Sequence, residues 1–239
     1  MQNGKANFHF YKEVVYDKNG NELVNGAIYG EDGGYPIAIA LSNDAVKLAV
    51  SMLDINDGNV KTTVAFYNFG TVGENEIDRI VSANSFADMV IPEMSFVSND
   101  KMIAYGDSEI ILFEGTQKPK MTQEIPLPEE VKSIFHNKKY IGVVSSNNDE
   151  TLTHHITVYD LRGSTIMEKD FSMEYTWIGF LANNEVCITN EDACDIYTIR
   201  GIYKFHHEFD ERLYRIMSGK TSLDYTVVLN TKTEKVRLK

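Results

Sequence analysis

Cysteine and positive charge are scarce in this 239-residue sequence, and each shortage closes a line of interpretation. Two cysteines, Cys187 and Cys194, make neither a disulfide framework nor a four-thiolate zinc site. They flank a hairpin turn expected at Asn190–Asp192. Two readings stay open: small reduced core residues, or a cross-strand disulfide. A redox pair would need a C-x-x-C spacing that is absent. Lys and Arg number 23 against 35 Asp and Glu, a formal charge of −12. That balance argues against nucleic acid, whose phosphates demand clustered cations, and against a basic face docking on an anionic membrane. No apolar run approaches the ~20 residues that span a bilayer. No signal-peptide pattern opens the chain, and no stretch of ten or more residues keeps a 3.6-residue apolar period.

What the sequence does hold is strand chemistry. Hydrophobic residues make up 43%, and the 13 tyrosines and 12 phenylalanines fall mostly inside β-branched runs. One phrase recurs: an apolar run, a Gly-containing tight turn, then a second strand. Its copies are Val14–Gly20, Val64–Gly70, Ile110–Gly115, Ile156–Gly163 and Ile196–Gly201. Glycine supplies the positive φ that such hairpin connections need. From Phe66 onward the copies lie roughly 40–45 residues apart, the period of a propeller blade. Two short strands precede each later copy and one follows it. The expectation is therefore an all-β, propeller-like chain of four-stranded antiparallel units at about 36–85, 89–126, 130–171 and 176–209. Three more strands run from Leu213 onward, about five blades' worth in a single domain, 1–239. The first strands, Asn7–Tyr16 and Glu22–Ile28, read as the last half of a unit. Either they complete the C-terminal unit and close a ring, or the chain begins part-way through a larger propeller.

The stretch VAFYNFGTVGENEIDRIV at 64–81 resembles the hallmark of the bacterial family called domain of unknown function 5711. Leu41–Asp44 with Leu48–Ser51, Phe135–Gly142 and Lys235–Lys239 extend the similarity over almost the whole chain. The resemblance implies proteins of Gram-positive anaerobes with a single membrane-spanning helix ahead of a propeller-like extracytoplasmic region. That helix is absent from this chain, so any membrane association runs through it. The family brings no established activity and no cofactor. Its motif concentrates Tyr67, Asn68, Asn75, Asp78 and Arg79 around one connection, either as a ligand-contacting loop or as pins for that loop.

Local motifs for chemistry are weak. Gly106-Asp107-Ser108 matches the opening of one esterase class, but no Asp-x-x-His follows and Ser108 leads into a strand, so a tight turn is the better reading. The paired histidines His154-His155 and His206-His207 point to opposite faces of a strand and cannot chelate one ion together. Asp54–Asn59 resembles a calcium loop, but its glycine comes early and no glutamate closes it. No metal and no cofactor is expected.

Charge is distributed more tellingly. In an up-and-down blade, second-to-third turns and inter-blade connections share one end. The former carry Asp54, Asp57, Asp107, Asp149, Glu150, Glu191 and Asp192; the latter carry Asp88, Glu129, Glu130, Glu174, Asp210 and Glu211. Arg212 is nearly alone against them, while Lys47, Lys101, Lys138, Lys139 and Arg162 fall at the other end. Such a field steers cationic partners. Candidate binding residues are Asp54, Asp57, Asp107, Asp149, Glu150 and Asp192. The expected function is a non-catalytic extracytoplasmic recognition or scaffold propeller for a protein or cationic ligand. The alternative is a hydrolase-type enzyme whose site assembles at the propeller centre from several blades.

Overall fold

The computed structural model describes residues 10–16, 19–29, 34–70, 80–146 and 153–237, with no side-chain description for 10–13, 15 and 23–29. Among the described residues every regular element is a strand. The chain divides into two compact units, Met1–Leu127 and Pro128–Lys239.

In the first unit, β1 (Phe10–Tyr16) and β2 (Glu22–Tyr29) pair in a sheet of their own. Sheet I follows with β3 (Tyr35–Leu41), β4 (Lys47–Asn56), β5 (Asn59–Asn68) and β6 (Ile80–Ala87). Sheet II holds β7 (Glu93–Ser98), β8 (Lys101–Tyr105), β9 (Glu109–Glu114) and β10 (Lys120–Pro126). In the second unit, sheet III runs β11 (Val131–His136), β12 (Tyr140–Ser146), β13 (His154–Asp160) and β14 (Thr165–Phe171). Sheet IV runs β15 (Trp177–Phe180), β16 (Val186–Thr189), β17 (Ala193–Tyr197) and β18 (Tyr203–Glu208). Sheet V has three strands, β19 (Leu213–Ser218), β20 (Asp224–Leu229) and β21 (Thr233–Arg237). All pairings are antiparallel and sequential, so the fold is all-β and propeller-like, built of repeated blades.

Burial explains the strand sequences. The second strand of a blade is covered on both faces, so it reads as a continuous apolar run and not as an alternation. Met102–Tyr105 in β8, Ile141–Val144 in β12 and Val186–Thr189 in β16 are buried at every position. Facing sheets interlock through aromatic rings. Phe66 of sheet I lies 5.0 Å from Phe113 of sheet II, in a core shared with Phe86, Ile91 and Met102. Val158, Met167 and Phe171 of sheet III meet Ile178, Val186 and Tyr197 of sheet IV. Phe205 of sheet IV stands 5.4 Å from Tyr225 of sheet V. Each such fully buried side chain contributes about 1.5–3 kcal/mol.

The recurring phrase is a bulged hairpin. In four of its copies the pairing slips at a tyrosine, namely Tyr16, Tyr67, Tyr159 and Tyr197. A glycine at positive φ closes the loop after three of them: Gly20 at 83°, Gly163 at 80° and Gly201 at 78°. Asp160 Oδ1 accepts the N–H groups of Arg162 and Ser164, which fixes one such turn.

The first-to-second turns also repeat. Asn184 N–H donates to Leu181 O and Ala45 N–H to Ser42 O, and both residues are left-handed, at φ 65° and 57°. Asparagine tolerates that conformation; alanine does so at a cost of roughly 1 kcal/mol. Ala45→Gly is expected to stabilise the protein by about 1 kcal/mol, read as a higher urea midpoint at an unchanged m value.

Candidate functional site

At the end of the sheets where the first-to-second and third-to-fourth turns lie, polar side chains join neighbouring blades. Lys47, only 4% exposed, reaches from sheet I to the turn of sheet II, donating to Asn99 O at 2.7 Å and Asp100 Oδ1 at 3.0 Å. Buried Asn68 donates from Nδ2 to Gln117 O at 3.2 Å and accepts the Gly70 N–H at 3.0 Å. Ser82 Oγ donates to Pro119 O at 2.7 Å. Between sheets III and IV, Asn137 Nδ2 donates to Asn184 Oδ1 at 3.0 Å. Between sheets IV and V, Lys204 donates to Glu185 Oε1 at 2.5 Å and to Tyr225 Oη at 2.9 Å. Tyr225 in turn donates to Glu185 Oε2 at 2.8 Å. Burial, and then the Glu185 carboxylate, hold the Tyr225 phenol far above its ordinary pKa, so it stays a donor.

The described half of the sequence hallmark belongs to this end. Tyr67 is partly buried against Leu48, Val50 and Met52, and Asn68 spends its amide on the neighbouring blade. Asn75, Asp78 and Arg79 lie outside the described residues. Two lysines counted as cations here are engaged: buried Lys47 with Asp100, and Lys101 with Glu114 at 3.1 Å.

The opposite end gathers acids, but they differ in what their carboxylates do. Asp54 is not a loop residue. The β4–β5 hairpin runs on to a two-residue turn at Asp57 (φ 50°) and Gly58 (φ 82°), which leaves Asp54 within β4 and 3.3 Å from Lys61. Lys61 is therefore a cation that the loop tally missed. Asp57 is exposed at the tip. Asp107 accepts the Val90 N–H at 3.2 Å and donates its own N–H to Val90 O at 3.0 Å, holding the connection between sheets I and II. Asp149 and Glu150 lie outside the described residues. Asp192 ties the chain through its backbone instead: its carbonyl accepts the Phe209 N–H at 2.7 Å, and its N–H donates to Asn190 Oδ1.

The Asp192 side chain thus lines an open polar hollow of about 520 Å³, shared with Glu174, Asp195, Tyr203, His206 and Glu208. No Lys or Arg is in its wall. His206 Nδ1 is 2.9 Å from Asp195 Oδ1 and Nε2 is 3.6 Å from Glu208 Oε1. The hydrogen bond to Asp195 raises the His206 pKa above its ordinary 6.5. The other histidine pair splits as a strand requires. His154 packs 5.0 Å from Phe171 and 5.2 Å from Tyr175, while His155 turns outward to Asp170 at 2.7 Å. Among the described residues no group of three His, Cys, Asp or Glu is arranged to hold a metal.

Both cysteines are free and buried. The register pairs Cys187 with Ile196 and Cys194 with Thr189, so they are diagonal neighbours and not a bridge-forming pair. Burial lifts both thiols, Cys194 to about 12 and Cys187 well above its usual value, which leaves them inert core residues.

A second cavity of about 750 Å³ lies in the second unit between β15 and β19, bordered by Trp177, Tyr214 and Arg215. These residues carry no motif. Their one sequence signal is the sole tryptophan of the chain placed in a four-residue strand.

A family model described as "Family of unknown function (DUF5711)" matches residues 12–238. The chain belongs to that family. No curated protein matches it. Among solved structures, the Pan2 WD40 domain of Neurospora crassa is similar at 7% identity, covering 94% of this chain and 68% of that one, with a TM-score of 0.49. Sqt1 of Chaetomium thermophilum is similar at 12% identity, 87% and 60% coverage and a TM-score of 0.48. BamB of Moraxella catarrhalis is similar at 12% identity, 94% and 68% coverage and a TM-score of 0.43. Likeness of that degree is loose, and the blade architecture of this DUF5711 member rests on its own sheets.

The buried lock of the DUF5711 chain has a measurable consequence. Glu185 and Lys204 side chains are 10% and 13% exposed, so removing one leaves an unpaired buried charge. Glu185→Ala is expected to destabilise by about 3–5 kcal/mol. Replacing both partners at once, as Glu185→Leu with Lys204→Met, should be far less destabilising than Glu185→Ala in urea unfolding.

Proposed function

We propose that this DUF5711 chain is a non-catalytic recognition propeller whose acidic hollow at Asp192 receives a cationic group of a protein partner. The observation that carries the reading is a wall of four carboxylates, Glu174, Asp192, Asp195 and Glu208, without a lysine or arginine among them. Asp57, exposed at the tip of the β4–β5 turn, is an acid of the same sign. A rigid blade end that concentrates one sign of charge raises the encounter rate with the opposite sign. Placement outside the cytoplasm, tethered by a membrane helix, is the remaining element of the proposal and rests on family resemblance. No helix among the described residues is long and apolar enough to cross a membrane.

The test uses a labelled lysine-rich peptide and fluorescence anisotropy. Binding should weaken as salt rises, because exposed charges are screened beyond about 8–10 Å at physiological ionic strength. Glu174→Lys with Asp192→Lys should lower the association rate more than it raises dissociation. The fold should be intact, since surface changes of this kind stay within about 0.5 kcal/mol. Unchanged peptide affinity in the double variant overturns the reading.

Protonation of His206 supplies a second handle. Its folded-state pKa is raised, so the imidazolium persists above pH 6.5 and is lost as pH climbs through that elevated value. The hollow then loses its one positive charge, facing Asp195 from β17, Glu208 from β18, and Glu174 and Asp192 from the adjoining loops. Peptide affinity should therefore increase with pH across that interval, and His206→Gln should flatten the profile.

A further inference from the structure

The cavity between β15 and β19 differs in chemistry from the acidic hollow, and its wall contains no acid. Three large side chains there are left open to solvent: Trp177 at 45%, Tyr214 at 61% and Met217 at 37%. A bulge in β19 explains the arrangement. Leu213 pairs with Leu229 and Arg215 with Val228, so Tyr214 is the extra residue, and Tyr214 and Arg215 are both exposed side by side. Bulges commonly re-aim side chains in this way. Each aromatic is held in place. The Trp177 indole lies over Gly179, where an added Cβ would come within 2.5 Å of Cζ2. The Tyr214 hydroxyl donates to Asn230 Oδ1 at 3.3 Å, and the Arg212 guanidinium lies 5.7 Å from its ring centre.

Arg215 makes no ion pair among the described residues, although the chain carries twelve more acids than lysines and arginines. An exposed guanidinium that forms no ion pair among the described residues, lining the same cavity as two pre-positioned aromatic rings, selects an anionic group on a ligand with an apolar body. The walls narrow the ligand further. β15 and β19 are first strands, each paired on one side only among the described residues, although the Leu213 N–H that opens β19 already donates to Glu191 O. An extended peptide satisfies such edges. We propose that the β15–β19 groove binds an extended acidic peptide segment, placing an aromatic or aliphatic side chain between Trp177 and Tyr214 and a carboxylate on Arg215. This site is separate from the hollow at Asp192 and of opposite preference.

Trp177 is the only tryptophan, so its emission reports the groove directly. The probe is a hexapeptide alternating phenylalanine and glutamate, with a lysine-for-glutamate control. The acidic peptide should shift Trp177 emission to the blue, and the control should not. Arg215→Glu should weaken the acidic peptide by at least about tenfold, the size of one lost charge-assisted contact, and Tyr214→Ala should weaken it while circular dichroism stays unchanged. Glu174→Lys with Asp192→Lys should leave this response as it was, which separates the two sites. Equal response to both peptides, or indifference to Arg215→Glu, overturns the proposal. So does a blue shift that grows with protein concentration alone, which would make a second copy of the chain the occupant.

Discussion

A blade of this protein is apolar on both faces of its second strand, and such a sheet is stable only when another sheet covers it. Ile103, Val143 and Ile188 have no polar face to offer water. The hydrophobic term therefore acts between blades as much as within them, through Phe66 on Phe113 and Phe205 on Tyr225. Repetition of the four-stranded unit follows from that need. The polar locks at one end, Lys47 on Asp100 and Lys204 on Glu185 and Tyr225, fix how one sheet is offset against the next. Apolar packing alone tolerates sliding; the buried Lys47 ammonium and the buried Lys204–Glu185 pair do not, because a misplaced charge is left unsatisfied.

Much of this architecture was legible in the sequence. The phrase of an apolar run and a glycine-containing turn marked the third strand of successive blades because the hairpin that follows uses a positive-φ glycine, as at Gly163 and Gly201. Asn and Asp marked the turns because they satisfy turn backbones themselves, as Asp160 does. The boundaries at 36–85 and 176–209 agree with β3–β6 and β15–β18 to within two residues. The reading of Asp54 as a loop acid failed for a physical reason: the β4–β5 hairpin closes on a two-residue turn, so Asp54, Ile55, Asn56 and Asn59, expected in a turn, remain paired.

The sites were less legible than the fold, since neither depends on a local pattern. Asp192 and Glu174 converge only when the connection between sheets III and IV folds beside the β16–β17 turn. Trp177 and Tyr214 are 37 residues apart in sequence and line one cavity from two different first strands. What re-aims Tyr214 is a bulge, and a bulge leaves no signature in composition.

The distribution of hydrogen bonds decides which residues are available for recognition. Asp107 and Asn68 look like binding residues in the sequence, yet their side chains hold Val90 and Gln117, and altering them would alter the fold. Asp192 ties its turn with backbone atoms, and Arg215 is anchored by the pairing of β19 with β20. Their charged groups are surplus to the architecture. A chain that closes its blades with main-chain bonds at such positions can change the identity of those side chains without changing the blades. In this chain Glu174, Asp192 and Arg215 can therefore be exchanged without disturbing the blades, while Lys47, Asn68, Glu185 and Lys204 are constrained by the packing that they hold.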